Sequence, residues 1–286
     1  MSAFDVLAIL FVASALLPML QRRRLEFQRL RFLQTWERRH KHRMIALIHR
    51  QETMSIFGFP LLRYIDIQDS EEVLRALRLT DADIPIDIVL HTPGGLALAA
   101  EQIAHAICRR TGKVTVYVPH YAMSGGTLIA LAADEIVMDP NAVLGSLDPQ
   151  LGQHPAVSIV RAVDWKVERR LEIDDETLIL SDIARKAVIQ LRGCVRDILL
   201  PRLGEARAEE LATRLTHGEW THDHPLNVEM LRGLGLPINT DMPRDIYEYM
   251  RLFPQPGFGR PSVQYIPLPY RSPVPAPRAP VPRTRP

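Results

Sequence analysis

The chain has 286 residues, of which 47% are hydrophobic and 24% charged, and its formal net charge is +2 at pH 7. This length predicts one sizeable domain with appendages, and so small a net charge says little about partners. Two cysteines, Cys108 and Cys194, exclude a disulfide framework and a cysteine-based metal site. The ten histidines show no His-Glu-x-x-His or similar spacing, so no metal is expected.

The N-terminal part predicts a membrane anchor. Residues 3–20 are almost wholly apolar, which is at the short end of the length that spans a bilayer. Arginines follow this run, and the positive-inside rule then places the rest of the chain in the cytoplasm. An amphipathic helix lying on the membrane is the alternative.

We therefore expect a transmembrane anchor at residues 1–20 and a basic juxtamembrane helix at residues 21–43. A solvated basic spacer is the alternative for the second segment. A nucleic-acid role for these basic residues is disfavoured, because they directly follow the anchor.

Residues 44–253 alternate between apolar runs and helical periods, which predicts a crossover α/β fold. The predicted strands are 44–49, 86–91, 113–119, 136–138 and 142–144. The predicted helices are 69–79, 96–109, 125–133, 158–170, 175–200 (stopped by Pro201), 204–215, 228–234 and 245–252. Asp87 interrupts a buried strand, so it needs a hydrogen-bond partner or a wet strand end.

The last segment, residues 254–286, holds eleven of the 23 prolines. Proline-rich segments cannot build a packed core, so we expect a disordered tail. The tail is either featureless or a docking segment for a proline-binding module.

Two glycine turns give the strongest functional signal. The segment 91–95, His-Thr-Pro-Gly-Gly, follows one apolar strand, and the segment 121–126, Tyr-Ala-Met-Ser-Gly-Gly, follows the next. A strand, a turn of small residues and a helix place backbone N–H groups and one hydroxyl at the same sheet edge. Acyl transfer needs this arrangement, and we therefore predict Ser124 as the nucleophile. Glycine used only for tight turns is the alternative.

These two segments, together with residues 133–146, resemble the Clp-protease/crotonase superfamily. Within it, the chain most resembles the signal-peptide-peptidase-A-like serine peptidases, and among them the membrane-linked serine dehydrogenase proteinases. The resemblance extends from about residue 44 to residue 250. It implies an α/β fold, the Clp-protease/crotonase-like repeated β-β-α superhelical fold, here preceded by an N-terminal transmembrane helix.

The resemblance also implies roles for the glycine turns. The backbone N–H groups of Gly94 and Gly125 are expected to form the oxyanion hole. Gly95, Gly126, Asp148 and Gln150 are expected to line the substrate groove without taking part in the chemistry.

The general base is less clearly indicated. Clp proteases carry a histidine about two dozen residues after the serine, where this chain has Asp148 instead. This difference favours the Ser-Lys dyad of the peptidase-A-like branch. Lys186 is predicted as the base, because its helix context is similar and apolar neighbours would lower its pKa. Lys166, 42 residues after the serine, is the alternative lysine.

Histidines remain possible bases. His91 and His120 lie next to the glycine turns, whereas His222 and His224 are interpreted first as residues of a polar turn.

The sequence thus predicts a membrane-anchored cytoplasmic serine peptidase that acts through an acyl-enzyme on Ser124. Its substrate is a peptide or protein, membrane lipid surrounds its anchor, and the resemblance implies a homo-oligomer without a cofactor. No Gly-x-Gly-x-x-Gly follows a strand, so redox chemistry is not expected. A crotonase-type acyl-CoA enzyme and a catalytically idle membrane scaffold are the alternatives.

Overall fold

The computed structural model describes the backbone of residues 3–50 and 63–254 and the side chains of residues 19–50 and 63–254. Within these ranges the predicted alternation of strands and helices is present. The helices are α1 (Ala3–His40), α2 (Ile67–Arg78), α3 (Ala97–Cys108), α4 (Gly125–Ala132), α5 (Ala156–Glu168), α6 (Asp175–Leu203), α7 (Glu205–Thr216), α8 (Val228–Gly233) and α9 (Arg244–Arg251). The strands are β1 (Arg43–Ile48), β2 (Ile86–His91), β3 (Val114–Val118), β4 (Tyr121–Ala122), β5 (Glu135–Met138), β6 (Val143–Gly145), β7 (Gln150–Leu151), β8 (His154–Pro155), β9 (Pro225–Leu226) and β10 (Ile238–Asn239).

The main sheet has the order β1-β2-β3-β5-β10, and every neighbouring pair of strands runs parallel. All six residues of β2 are buried, as expected for a strand of a parallel sheet that is covered on both faces. Because parallel strands end at the same edge, the turns after β2 and β3 lie side by side. The α/β fold is confirmed, whereas the repeated β-β-α superhelix stays a prediction.

One face of the sheet is covered by α3 and α4. All eight residues of α4 are buried, which suits its small and apolar sequence. Helix α3 buries one side and packs against α4. These two helices follow the two glycine turns directly, so their packing fixes where the turns lie.

The other face is covered by α1 and α9. Trp36 of α1 donates its Nε1–H to the buried Asp87 carboxylate (2.7 Å), and His42 Nδ1 lies 3.0 Å from the same oxygen. Phe32 stacks on Tyr249 with ring centroids 4.6 Å apart. Asp87 therefore has the hydrogen-bond partner that its position requires. This part of α1 packs on the domain and is not a solvated spacer.

Two of the helix ends that differ from the prediction have a clear local cause. Helix α6 continues past Pro201 to Leu203 and is capped by Gly204, whose φ is 74°. A proline in the last turn removes only one backbone hydrogen bond, and the glycine then supplies the left-handed residue that stops the helix. Helix α2 begins earlier than predicted, because Asp66 and Asp69 form a reciprocal capping box.

Of the helices that the structure describes, none is both long and apolar enough to cross a membrane. The predicted anchor falls largely on residues 1–18, whose side chains are outside the described part of the chain. The predicted tail at residues 255–286 lies outside it as well.

Candidate active site

Ser124 lies on a sharp turn between β4 and α4. Its φ of 49° and ψ of −118° form a combination that residues other than glycine seldom adopt. Such strain persists only where surrounding contacts determine it, and it is frequent at catalytic nucleophiles. Thr127 supplies two of these contacts, because its hydroxyl donates to Ala122 O (2.9 Å) and accepts from the N–H of Gly145 (2.9 Å).

The first glycine turn is bonded directly to the serine turn. The N–H of Thr92 donates to Tyr121 O (3.3 Å), and the N–H of Met123 donates to Thr92 O (3.0 Å). Gly94 has a φ of 105°, and a methyl group added there would lie 2.8 Å from Ser124 Cβ. Only glycine satisfies both the backbone angle and the close approach.

The backbone N–H groups at this junction differ in their partners. The N–H of Gly94 donates to Thr92 Oγ1 (3.1 Å), so it is not the free oxyanion donor that the resemblance implied. Within the described residues, the N–H groups of Gly95 and Gly125 have no acceptor. A methyl group on Gly125 would lie 3.8 Å from Gly95 N, so these two N–H groups are neighbours.

A buried carboxylate and a histidine lie near the serine. His222 Nδ1 is 2.9 Å from Asp148 Oδ1, and the Asp148 side chain is only 1% exposed. Ser146 Oγ and Gln150 Nε2 donate to the same carboxylate, at 3.0 and 2.6 Å. The hydrogen bond to Asp148 raises the pKa of His222 above its usual 6.5, against the opposing effect of burial. The carboxylate therefore stabilises the protonated imidazole.

Two contacts hold the segment of His222 beside Asp148. Strand β9 pairs antiparallel with β6, with Leu226 opposite Leu144. Ser146 Oγ lies 3.0 Å from Thr221 O, so its hydroxyl is shared between Asp148 and this carbonyl. The polar turn at residues 220–227 is thus attached to the chain that follows the serine helix.

Ser124, Gly95, Gly125, Asp148 and His222 line one cavity of about 550 Å³. Gln150, which the resemblance assigns to the substrate groove, lines it too. The rest of the wall is largely apolar and is formed in part by Leu128, Leu147, Leu151 and Leu191. Gly126, which the resemblance assigns to the substrate groove, does not line this cavity, because it packs beneath the turn. A methyl group there would lie 2.5 Å from Thr92 Cγ2.

The two candidate lysines lie elsewhere on the surface. Lys186 is 65% exposed at its side chain and pairs with Asp182 (2.5 Å). Lys166 donates to the carbonyl of Glu172 (3.4 Å). Neither lysine lines the cavity of Ser124. Of the apolar residues that the sequence suggested as surroundings for Lys186, Ala184 is buried, whereas Ile183 and Ile189 are themselves exposed and do not enclose the lysine.

The other histidines also lie outside the cavity lining. His91 is buried against the ring of Tyr121 (centroids 4.2 Å), and burial together with Arg50 and His120 lowers its pKa to about 3. Burial likewise lowers the pKa of His120. His224 stacks on Trp220 with ring centroids 6.2 Å apart.

The pairing of His222 with Asp148 was not predicted from the sequence. The position shortly after Ser124 at which Clp proteases carry a histidine holds an aspartate in this chain. The available signal was that an acid occupies this position while a histidine follows 74 residues later. A triad is defined by geometry and not by chain order, so the two residues can exchange positions.

The chain matches a known protein family and is similar to several known proteins. The model of the ClpP-like SDH-type serine proteinases matches residues 1–278. Two proteins of Methanocaldococcus jannaschii, the uncharacterized proteins MJ1495 and MJ0137, are 51% identical over 271 residues and 48% identical over 263 residues. These alignments cover 94% and 92% of this chain, and 92% and 91% of the relatives.

A solved structure, a mutant of the 1510-N membrane-bound stomatin-specific protease, is similar at 21% identity with a TM-score of 0.43. The match covers 66% of this chain and 79% of that one. The family match extends over nearly the whole chain. The chain therefore belongs to the family of ClpP-like SDH-type serine proteinases.

Proposed function

We propose that this protein hydrolyses peptide bonds through an acyl-enzyme on Ser124, with His222 as general base and Asp148 as its orienting carboxylate. The observation that carries the proposal is the shared cavity. It brings together a serine on a strained turn, two neighbouring free N–H groups and a histidine bonded to a buried carboxylate. These are the parts that nucleophilic acyl transfer requires.

The hydrogen bond between His222 and Asp148 sets the direction of proton transfer. With Nδ1–H donated to Asp148, the lone pair of Nε2 is available to accept the proton of Ser124 Oγ. The serine oxygen then attacks the carbonyl carbon, and the N–H groups of Gly95 and Gly125 stabilise the resulting oxyanion. His222 then gives the proton to the departing amine, and the acyl group remains bonded to Ser124 as the acyl-enzyme.

Hydrolysis of the acyl-enzyme repeats these steps with water. His222 takes a proton from the water, whose oxygen attacks the acyl carbon. The proton returns to Ser124 Oγ as the carboxylic acid product leaves. The serine and the imidazole are then in their starting states.

A Ser-Lys dyad with Lys186 or Lys166 is the competing assignment of the base. A lysine base must be neutral at the working pH, which requires burial or a neighbouring cation. Lys186 instead lies exposed beside Asp182. The proposal therefore gives the base to His222.

The first prediction concerns the nucleophile. Ser124→Ala should abolish labelling by a fluorophosphonate probe and hydrolysis of a casein substrate. The unfolding free energy should change by less than about 1 kcal/mol, because the lost hydroxyl empties little core volume. The exposed Ser158 provides the control, and Ser158→Ala should label like the wild type. Full hydrolysis by Ser124→Ala would rule out the proposed function.

The second prediction concerns the close approach of the two turns. Gly94→Ala should lower the rate of probe labelling by about 100-fold or more, because the methyl group displaces Ser124 from its position. Gly193→Ala is the matched control, since a methyl group at that α6 position meets no atom within 4 Å. The control should label normally and gain up to about 1 kcal/mol of stability. Normal labelling of Gly94→Ala would contradict the geometry.

The third prediction separates the histidine from the lysines. His222→Ala and Asp148→Asn should each lower kcat by roughly three to four orders of magnitude, whereas Lys186→Ala and Lys166→Ala should stay within a few-fold of wild type.

The pH profile provides the second readout for the base. A base must be deprotonated, so wild-type activity should rise with pH through a pKa above 6.5. In Asp148→Asn the rise of the residual activity with pH should occur at a lower pH than in the wild type, since the carboxylate that raises the pKa of His222 is gone. A dead Lys186→Ala with an active His222→Ala would reverse the assignment.

We also propose that residues 1–20 anchor the protein in a membrane with the catalytic domain on the cytoplasmic side. The apolar run and the arginines that follow it support this topology.

The fourth prediction is that deletion of residues 1–24 moves the protein from the membrane fraction to the soluble fraction. Unchanged membrane retention would contradict the anchor. The homo-oligomer and the lipid partner implied by the resemblance stay predictions.

A further inference from the structure

Glu101 is a carboxylate in the candidate active-site cavity that the proposed chemistry does not use. It belongs to α3, which begins two residues after the glycine pair. Ala97, Ala100 and Glu101 all line the cavity of Ser124, since positions three and four apart share one side of a helix. The side chain of Glu101 therefore lies where a bound peptide would pass.

The two cavity carboxylates differ in their partners. Asp148 is bonded to His222, Ser146 and Gln150. Glu101, by contrast, has neither an ion pair nor a side-chain hydrogen bond to any residue in the described part of the chain.

Helix α6 forms the opposite wall and adds no cation to it. Its residues at the cavity are Ala187, Gln190 and Leu191, and the adjacent Lys186 is paired with Asp182. Along α3, His105 Nε2 lies 3.7 Å from Cys194 Sγ. Arg109 is two turns further on, about 12 Å along the helix axis. His105 and Arg109 line a second pocket along α3 together with Glu101, and neither of them lines the cavity of Ser124.

This combination has a specific chemical complement. An apolar wall favours a long aliphatic chain, and an unpaired carboxylate favours a cation at the end of that chain. Lysine and arginine side chains carry both parts, an alkyl stem and a charged head. A purely aliphatic side chain would fill the same space but leave the carboxylate without a partner.

We propose that Glu101 is a specificity-determining residue that selects substrates with a lysine or arginine side chain next to the scissile bond. This inference rests on the proposed function for its cleavage readout. Its binding readout is independent of catalysis.

The experiment compares N-acetylated peptides that differ only in carrying lysine or norleucine at each position flanking the scissile bond. Norleucine keeps the alkyl stem and lacks the ammonium group, and acetylation removes the α-amino group as a competing cation. At one position the wild type should prefer lysine by about tenfold or more in kcat/KM. Glu101→Gln should remove this preference, chiefly by slowing cleavage of the lysine peptide.

Glu71→Gln is the matched control, because Glu71 is an exposed acid on α2 outside the cavity lining. It should keep the preference for lysine. Glu101→Lys should reverse the preference, so that a glutamate peptide becomes better than the lysine peptide.

Binding of the same peptides to Ser124→Ala, measured by calorimetry, separates the two hypotheses. The inference is supported if Ser124→Ala binds the lysine peptide more tightly than the norleucine peptide and if adding Glu101→Gln to that variant abolishes the difference. This holds even if the wild type cleaves nothing, in which case only the proposed function fails. Equal binding of the lysine and norleucine peptides at every position overturns the inference. An equal preference for lysine in Glu101→Gln overturns it as well.

Discussion

The contact between the two glycine turns is the constraint on which the site depends. Hydrogen bonds of Thr92 with Tyr121 and Met123 continue the strand pairing past the ends of β2 and β3. They bring Gly94 so close to Ser124 that no side chain fits between them. The same contact places the N–H groups of Gly95 and Gly125 next to each other. A parallel sheet makes this possible, because consecutive crossovers end at one edge.

The groups proposed to activate the serine come from a separate part of the chain. Asp148 follows β6, and His222 precedes β9, so the pairing of these two short strands brings the two residues together. The carboxylate is buried and accepts from three partners, which fixes its position and keeps the imidazole in one orientation. Strand β4, which precedes Ser124, belongs to the same three-stranded sheet as β6 and β9, so strand pairing also connects Asp148 and His222 to the serine turn.

The sequence predicted those features that depend on local patterns. The buried strand at residues 86–91 was placed with the observed bounds, because four of its six residues are large and apolar. The two-residue strand β10 was not predicted, since so short a segment has no period and joins the sheet only by a long-range pairing. The need of Asp87 for a partner followed from its burial, but the partner, Trp36, is 51 residues away and could not be identified.

The base of the proposed mechanism was missed for the same reason, since a contact across 74 residues leaves no periodic signal. The most direct test is a ¹⁵N-histidine NMR spectrum of the phosphonate adduct formed by the intact protein. The proposed mechanism predicts an adduct on Ser124, with His222 protonated and its Nδ1 proton shifted downfield by the bond to Asp148. That signal should be missing in Asp148→Asn. An adduct on Ser124 that leaves the His222 resonances unchanged would contradict the mechanism.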